Sequence, residues 1–349
     1  MIPIQRLYRA NVVVHDLRAT ARQYAKLLGI KRWEVVHCTS ARLSVASAYG
    51  YAADYAYSTA TGSNANGVTF RLIQPTSGFS TFTEFLITRG EGVHSVCTTV
   101  LDDEAELTDL ARLLRKEGVA IGQAAMLDGA VRQVFFDTRM ALGGFLIEVT
   151  GGSESAIAAD EAWDFSSDTQ PNALHAITRI GHFGVAVPNL MQRLPVYERL
   201  LGLERWNAVH FQPEHSTLNG ERVEHAFLLA IGSKQDVTFE LLQSTRGPTD
   251  YTLFQERTGG PGMHHMLLLR DLPEDEWLAL RATLDLPAVM SGRVRSGVAE
   301  FYYVDTRSKL GGWLVEVIVS RAERATTPPD PLGRFTLDFS RRDTGAGLP

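Results

Sequence analysis

The chain has 349 residues, and at roughly 150 residues per domain this length predicts two domains. Its 34 lysines and arginines against 40 aspartates and glutamates give a formal charge of −6 without a basic block, which argues against nucleic-acid binding. No apolar run approaches the roughly 18–20 residues of a membrane-spanning helix, and the N-terminus lacks a signal-peptide pattern. Cys38 and Cys97 form no CxxC motif. We therefore expect a cytoplasmic protein with no nucleic-acid or membrane partner.

The chain contains an internal repeat. The segment VVVHDLRATARQYAKLLGIKRWEVVH, from Val12, matches VAVPNLMQRLPVYERLLGLERWNAVH, from Val185. The segment FDTRMALGGFLIEV likewise matches VDTRSKLGGWLVEV, and such matches recur in order at a spacing of about 170 residues. We expect domain 1 at residues 1–152, a linker at 153–177, domain 2 at 178–320 and a C-terminal tail at 321–349. Because WDFSSD in the linker is echoed by LDFSRRD in the tail, we expect both segments to dock.

The second repeat begins with HFGVAVP, which alternates and is rich in β-branched residues, as in a strand. Asn189 then caps a helix, LMQRLPVYERLLGL, with apolar residues at helical spacing. Strands LERWNAVHF, VEHAFLLAIG, DVTFELLQS and GMHHMLLLRDL follow, and then a helix, LPEDEWLALRATLD. VRSGVAEFYYVDT and GWLVEVIVS close the domain, and domain 1 repeats the order. This pattern predicts an α+β fold of four βαβββ modules, with helices on one face of each sheet.

Four polar residues of domain 2 lie in strands at positions opposite to the bulky face. His182 begins the first strand and His265 another, while Glu240 and Glu316 lie in strand centres among apolar neighbours. Burying a bare carboxylate is costly unless a cation compensates it. Two imidazoles and two carboxylates suit Fe, Mn, Zn, Co or Ni. The sequence therefore predicts one divalent metal ion per chain, held by these four residues.

The first repeat lacks this set of ligands. The first half has Arg9 in place of His182, Arg71 in place of Glu240 and Ser95 in place of His265. Glu148 corresponds to Glu316. Because arginine cannot ligate a cation, domain 1 is predicted to be metal-free, with one of its arginines paired to Glu148. His264 has a histidine counterpart in this metal-free copy and is therefore interpreted as structural.

These motifs resemble the vicinal oxygen chelate superfamily, which includes glyoxalase I, methylmalonyl-CoA epimerase, bleomycin-resistance proteins and extradiol dioxygenases. IGHFGVAVPNL resembles the family's opening strand, GPGMHHMLLL its epimerase motif and DTRSKLGGWLVEV its closing hairpin, and each supplies a metal ligand in the family. The resemblance implies two tandem glyoxalase-like domains, the first degenerate and the second catalytic. It also implies a small substrate that chelates the metal through oxygen, and it leaves monomer and homodimer open.

The epimerases and glyoxalases resemble the middle of domain 2 best. There Glu240 matches a fourth ligand, and Glu224 matches an acid/base residue of the epimerase. A fourth ligand leaves two open positions on an octahedral metal, which suits a chelating substrate but leaves none for O₂. The main expectation is therefore an isomerase, epimerase or lyase that transfers a proton next to a chelated carbonyl or hydroxyl.

The extradiol dioxygenases resemble the chain in architecture, with two domains and metal only in the second. They use two histidines and one glutamate, a tyrosine matched by Tyr302 or Tyr303, and a catalytic histidine that His225 matches. The alternative expectation is therefore an Fe(II)-dependent ring-cleavage dioxygenase of a catecholic substrate. A second alternative is a small-molecule binding or resistance protein.

Overall fold

The first half of the chain forms one eleven-stranded sheet with three α-helices. The structure is a computed structural model that describes residues 1–294, 299–320 and 334–339. The helices are α1 (Leu17–Leu28), α2 (Thr81–Arg89) and α3 (Glu104–Lys116), and a π-helical turn spans Arg139–Gly143. The strands are β1 (Arg9–Val13), β2 (Arg32–Cys38), β3 (Leu43–Ala48), β4 (Tyr51–Ala52), β5 (Tyr55–Ser63), β6 (Thr69–Gly78), β7 (Gly92–Val100), β8 (Ile121–Leu127), β9 (Val131–Phe136), β10 (Leu146–Gly152) and β11 (Glu161–Asp164).

The described part of the second half repeats this arrangement. Its helices are α4 (Leu190–Leu201), α5 (Asp250–Thr258), α6 (Glu274–Leu284) and the single turn α7 (Arg307–Leu310). Its strands are β12 (His182–Ala186), β13 (Arg205–Phe211), β14 (Glu214–Leu218), β15 (Glu221–Arg222), β16 (Ala226–Lys234), β17 (Val237–Arg246), β18 (Gly262–Pro273), β19 (Ala288–Arg293), β20 (Ala299–Val304), β21 (Leu314–Ser320) and β22 (Arg334–Asp338).

The two sheets have the same topology. The first runs β11-β2-β5-β6-β1-β7-β10-β9-β8-β3-β4, and the second runs β15-β14-β19-β20-β21-β18-β12-β17-β16-β13-β22. In each half the first strand is parallel to one central neighbour and antiparallel to the other. Each sheet curls into a half-barrel. The expected α+β fold of two tandem domains with βαβββ modules is therefore confirmed.

Helices cover both faces of the sheets, which differs from the expectation of one covered face. Leu194 and Tyr197 of α4 pack into the large core with Phe239. On the other face, α5 packs Tyr251 and Phe254 into a separate cluster. Helices α2 and α5 were not predicted because they have nine residues each and no long apolar periodicity. Helix α5 packs against β12, β17 and β18, three of the strands that carry the predicted ligands.

The two halves share one core and make reciprocal contacts. The Tyr24 hydroxyl donates to the Leu310 carbonyl at 2.9 Å and accepts from the Trp313 indole at 2.9 Å. In the equivalent contact from the second half to the first, the Tyr197 hydroxyl donates to the Leu142 carbonyl at 2.7 Å. One hydrophobic cluster runs through both halves. The first half is therefore part of the scaffold that supports the second.

Both segments predicted to dock do so as edge strands. In the predicted linker, β11 pairs with β2 and sets Trp163 opposite Trp33. In the predicted tail, β22 pairs with β13 and sets Leu337 opposite Trp206. In the predicted tail, residues 321–333 and 340–349 lie outside the described residues. Over the described ranges, the helices are too short or too polar to span a bilayer.

Candidate metal centre

Four adjacent strands bring the four predicted ligands together. In the order β17, β12, β18 and β21 they supply Glu240, His182, His265 and Glu316. Strand alternation points all four toward the concave face, and all four are buried. Their ligand atoms lie within 4.8 Å of one another. Four residues far apart in sequence therefore converge on one point of the sheet.

The distances in this cluster fit a divalent ion. His182 Nε2 lies 2.8 Å from Glu316 Oε2 and 3.2 Å from Glu240 Oε2. His265 Nε2 lies 3.3 Å from each of these oxygens and 3.2 Å from His182 Nε2. Ligands bonded to one ion at roughly 2.0–2.2 Å are separated by about this much. Both carboxylate Oε2 atoms are buried without a hydrogen-bond partner. The donor set and the two unsatisfied oxygens match what a metal ion requires.

A glycine makes the close approach possible. Gly184 is the register partner of both Glu240 and His265 in the neighbouring strands. A Cβ atom placed on Gly184 would lie 2.0 Å from Cε1 of His265, which is an impossible contact. Any other residue would displace the imidazole, so this position requires glycine. Its counterpart in the first half is Asn11, which lies beside Ser95 rather than an imidazole.

The imidazoles and carboxylates of the cluster stabilise one another's charged forms. Burial opposes the charged form of His182, but Glu240 and Glu316 outweigh it and raise its pKa to about 10. Burial likewise opposes ionisation of the two carboxyls, and the adjacent imidazoles reverse this effect, so that both carboxyl pKa values are lowered. The pKa of His265 is also raised, because the two carboxylates outweigh burial. Without a metal, a proton on an imidazole provides the compensating positive charge.

A buried chain of hydrogen bonds orients His265. Its Nδ1 lies 2.9 Å from Nδ1 of His264, whose Nε2 lies 2.8 Å from Asp250 Oδ2 at the start of α5. If His264 donates Nε2–H to the carboxylate, its Nδ1 accepts from Nδ1–H of His265, and Nε2 of His265 is free to bind a metal. His264 is thus linked to the site, beyond the structural role predicted for it. A comparison of the repeats could have indicated this role, because the first half has Thr81 in place of Asp250 and so lacks the carboxylate.

The adjacent tyrosines have different surroundings. Tyr303 is the register partner of Glu316 and stacks on His265, with ring centroids 4.5 Å apart. Its hydroxyl lies 2.7 Å from that of Tyr251. Burial raises the pKa of the Tyr303 phenol well above its usual value, so the phenol stays protonated at neutral pH. Tyr302 points to the opposite face and packs on Trp277. Of the two predicted candidates, only Tyr303 is placed at the site.

The other two predicted catalytic residues lie away from the cluster. Glu224 is in the loop before β16, its side chain is 92% exposed, and its carboxylate lies 3.8 Å from the Arg246 guanidinium. Because the strand begins only at Ala226, strand alternation does not extend to Glu224 and cannot orient it toward the cleft. His225 is buried beside Phe227, and both its ring nitrogens lack a hydrogen-bond partner. Burial lowers its pKa to about 4. Neither residue lines the main cavity.

A cavity of about 590 Å³ opens onto the cluster. His182, Glu240 and Glu316 form part of its wall, and the remainder is largely apolar and aromatic. Its other polar lining comes from Asn207, Arg270 and Thr336. The aromatic lining comes from Phe211, Phe227, Phe301, Tyr303 and Phe335 of β22. This size and lining are typical of a small-molecule site.

The equivalent position in the first half is an ion-pair network. Glu148 is fully buried, and its Oε1 accepts from Arg9 at 2.6 Å and from Arg71 at 3.4 Å. Asn11 donates to its other oxygen at 2.8 Å. Glu154 pairs with both arginines, at 3.0 and 2.9 Å. The predicted pairing of Glu148 with an arginine is confirmed, and guanidinium groups stand where the second half has ligands.

Comparison with solved structures shows the fold. A variant of 4-hydroxymandelate synthase from Streptomyces coelicolor matches with a TM-score of 0.55 and 15% identity, over 92% of this chain and 94% of that one. A fusion of a xylose isomerase-like TIM barrel with 4-hydroxyphenylpyruvate dioxygenase gives a TM-score of 0.44 and 13% identity, over 93% and 50% of the two chains. The catechol dioxygenase BphC, described as halotolerant, gives 0.41 and 12%, over 91% and 87%. No family model and no curated protein matches the sequence.

The chain therefore has the fold of the vicinal oxygen chelate superfamily, in its two-domain form. Within that fold, the second half contains a buried His₂Glu₂ cluster that can hold a metal.

Proposed function

We propose that the chain is a metal-dependent dioxygenase that acts on a small aromatic molecule with adjacent oxygen donors, such as a catechol. The proposal depends on one observation above all: the His₂Glu₂ cluster forms part of the wall of an aromatic cavity whose described lining contributes no further carboxylate or imidazole. Among the described residues that line this cavity, the carboxylates and imidazoles all belong to the cluster. Proton-transfer enzymes need an acid or base within reach of the reacting atom. The exposed position of Glu224 leaves that role without a dedicated residue.

The residues fit a bound iron. His182, His265, Glu316 and Glu240 would hold it. A divalent ion there would activate chelating oxygens of the substrate and, as iron, provide a site for O₂. An oxygenase would require one of these four residues to be a weak ligand, since four protein donors and a chelating substrate would leave no position for O₂.

The cavity residues bind and orient the substrate. Phe227, Phe301 and Tyr303 provide flat apolar surfaces for an aromatic ring and exclude water from the wall beside the cluster. Arg270 is exposed at the cavity and can pair with an anionic substituent. The Tyr303 phenol is fixed by Tyr251 and can donate a hydrogen bond at the metal end. The shared fold with 4-hydroxymandelate synthase, whose name denotes a small aromatic hydroxy acid, agrees with such a substrate.

A second candidate, proton transfer next to a chelated carbonyl, is favoured by the position of Glu240. Its Oε2 lies 3.2 Å from His182 and 3.3 Å from His265, which suits a fourth ligand. Four protein ligands leave two octahedral positions, enough for a chelating substrate without O₂. The base would then be a cluster carboxylate released from the metal, either Glu240 or Glu316.

The experiment measures turnover of catechols and hydroxylated aromatic acids by Fe(II)-loaded protein in an oxygen electrode. We expect O₂ uptake to match substrate loss, to vanish in Glu316→Ala, and to persist in Glu224→Gln, the control at an exposed carboxylate. Turnover without O₂, with solvent deuterium entering beside a carbonyl, would refute the oxygenase and support proton transfer. Tight binding without turnover under either condition would indicate a binding protein and contradict both enzyme proposals.

A further inference from the structure

A second cavity lies in the first half, whereas the candidate metal centre lies in the second. It has a volume of about 470 Å³ and shares no lining residue with the main cavity. Helix α3 contributes one wall through Leu107, Thr108, Ala111, Arg112 and Arg115, which share a helix face. Strands β8 and β9 contribute the floor, mainly through Ala124, Met126, Arg132 and Val134. The cross-strand pairs Ala124–Val134 and Met126–Arg132 lie side by side on this floor.

The second half fills the equivalent space with aromatic rings. Trp277 of α6 packs on Tyr302 of β20, with ring centroids 4.6 Å apart. The repeat places Leu107 and Val134 at these two positions in the first half. The smaller side chains leave open the volume that an indole and a phenol occupy in the other copy. The cavity is therefore a local difference between two copies of one fold.

The charge on the floor of the cavity also differs between the copies. In the second half, Arg293 and Glu300 face each other across β19 and β20 at 3.9 Å. In the first half, Met126 takes the place of Arg293 and Arg132 takes the place of Glu300. Arg132 therefore faces an uncharged side chain across the two strands. Among the described residues, none forms a hydrogen bond with the buried Nη1 of Arg132, and Nη2 donates to the exposed Glu104 at 3.3 Å. A buried N–H of a charged group without an acceptor is costly, so this atom requires a ligand oxygen or a water.

Two more cations stand at the rim. Arg112 and Arg115 line the cavity from the exposed side of α3, and Glu104 is the acid among the described lining residues. Apolar walls with one half-buried guanidinium and two arginines at the rim suit a molecule with an apolar body and an anionic end. We propose that this cavity binds a small organic anion of the alkyl or aryl carboxylate class. The carboxylate accepts from Arg132, and the apolar part lies between Leu107 and the floor of the cavity. This proposal does not depend on the proposed function.

The test uses octanoate as the probe and methionine methyl NMR on the full chain as the readout. Met126 lies on the floor of the cavity, while Met290 packs in the cluster beside the metal centre. Each resonance is assigned by Met→Leu substitution. We expect octanoate to shift the Met126 methyl resonance saturably. The uncharged octanamide should have an affinity lower by about tenfold or more, because it cannot form a charge-assisted hydrogen bond.

Two variants separate the chemistry of the site from its volume. Arg132→Gln removes the cation and should weaken octanoate binding by about tenfold or more. Leu107→Trp combined with Val134→Tyr copies the filling seen in the second half and should abolish the shift. If the double variant does not fold, Arg132→Gln alone decides the outcome. A Met126 resonance unmoved by octanoate, a shift confined to Met290, or equal affinity in Arg132→Gln would each overturn the proposal.

Discussion

Glu148 and Glu316 occupy the same position in the two halves, yet we expect their removal to have opposite effects. Glu148→Gln removes the buried one of two acids that balance Arg9 and Arg71, and leaves the more exposed Glu154. Glu316→Gln removes a candidate metal ligand. The first substitution should lower the free energy of unfolding and leave the metal in place. The second should release the metal and cost less stability when both proteins are compared without metal.

The magnitude follows from burial and from which cations can lose a proton. Glu148 is 0% exposed, and the side chains of Arg9 and Arg71 are only 6% and 9% exposed. Breaking a buried ion pair by removing one partner costs about 3–5 kcal/mol. Total stabilities are about 5–15 kcal/mol, so this loss is large. An arginine cannot shed its charge, whereas His182 beside Glu316 can deprotonate, so the second loss is smaller.

Urea unfolding in the presence of a chelator measures the free energy of unfolding of wild type and both variants. Elemental analysis of protein purified without chelator measures the metal. We expect one divalent ion per chain in wild type and Glu148→Gln, and none in Glu316→Gln. Loss of metal from Glu148→Gln would show that the site is assigned to the wrong half. Equal stability losses in the two variants would refute the reasoning about the arginines.

Three further predictions concern the rest of the molecule. Asp250→Asn removes the charge that fixes the tautomers of His264 and of the ligand His265, and should weaken metal affinity by about 10–100-fold in a chelator competition, with the fold retained. Because the pKa of His182 is about 10 without metal, it is protonated at neutral pH and must release a proton when a metal binds. Affinity should therefore fall as the pH falls, and calorimetry in buffers of different ionisation enthalpy should detect proton release, whereas buffer-independent heats would contradict this. Trp313→Ala should lower the free energy of unfolding by about 3–5 kcal/mol, and Tyr24→Phe by about 1 kcal/mol, in urea titrations. An unchanged free energy of unfolding in Trp313→Ala would mean that the two halves do not depend on each other.

The candidate metal centre could be predicted because its residues lie in regular strands. Alternation places Glu240 and Glu316 on one face of the sheet whatever the tertiary details. The first half then serves as an internal control, because Arg9 and Arg71 together replace two of the ligands there. The same logic predicted the pairing of Glu148, since a carboxylate that loses its metal needs another cation.

The residues that sequence reasoning misplaced lie where this periodicity ends. Glu224 precedes its strand, so its orientation depends on a loop that carries no repeat of two. Tyr302 and Tyr303 are adjacent and must face opposite ways, but only the register with Glu316 shows which one faces the site. Asp250 begins a helix too short to show a pattern, and its link to His264 is a tertiary contact. Propensity and periodicity describe neither loops nor contacts between elements.

The reciprocal contacts between the halves have a consequence for how the site arose. Tyr24 with Leu310 and Tyr197 with Leu142 are related as the two sides of a symmetric dimer interface. In a dimer of identical subunits, every substitution would appear twice, so the arginine network and the metal ligands could not coexist in one assembly. Joining the two copies in one chain removes that constraint. One copy is then free to exchange its cation for fixed guanidinium groups and to open a new cavity, while the other keeps the ligands.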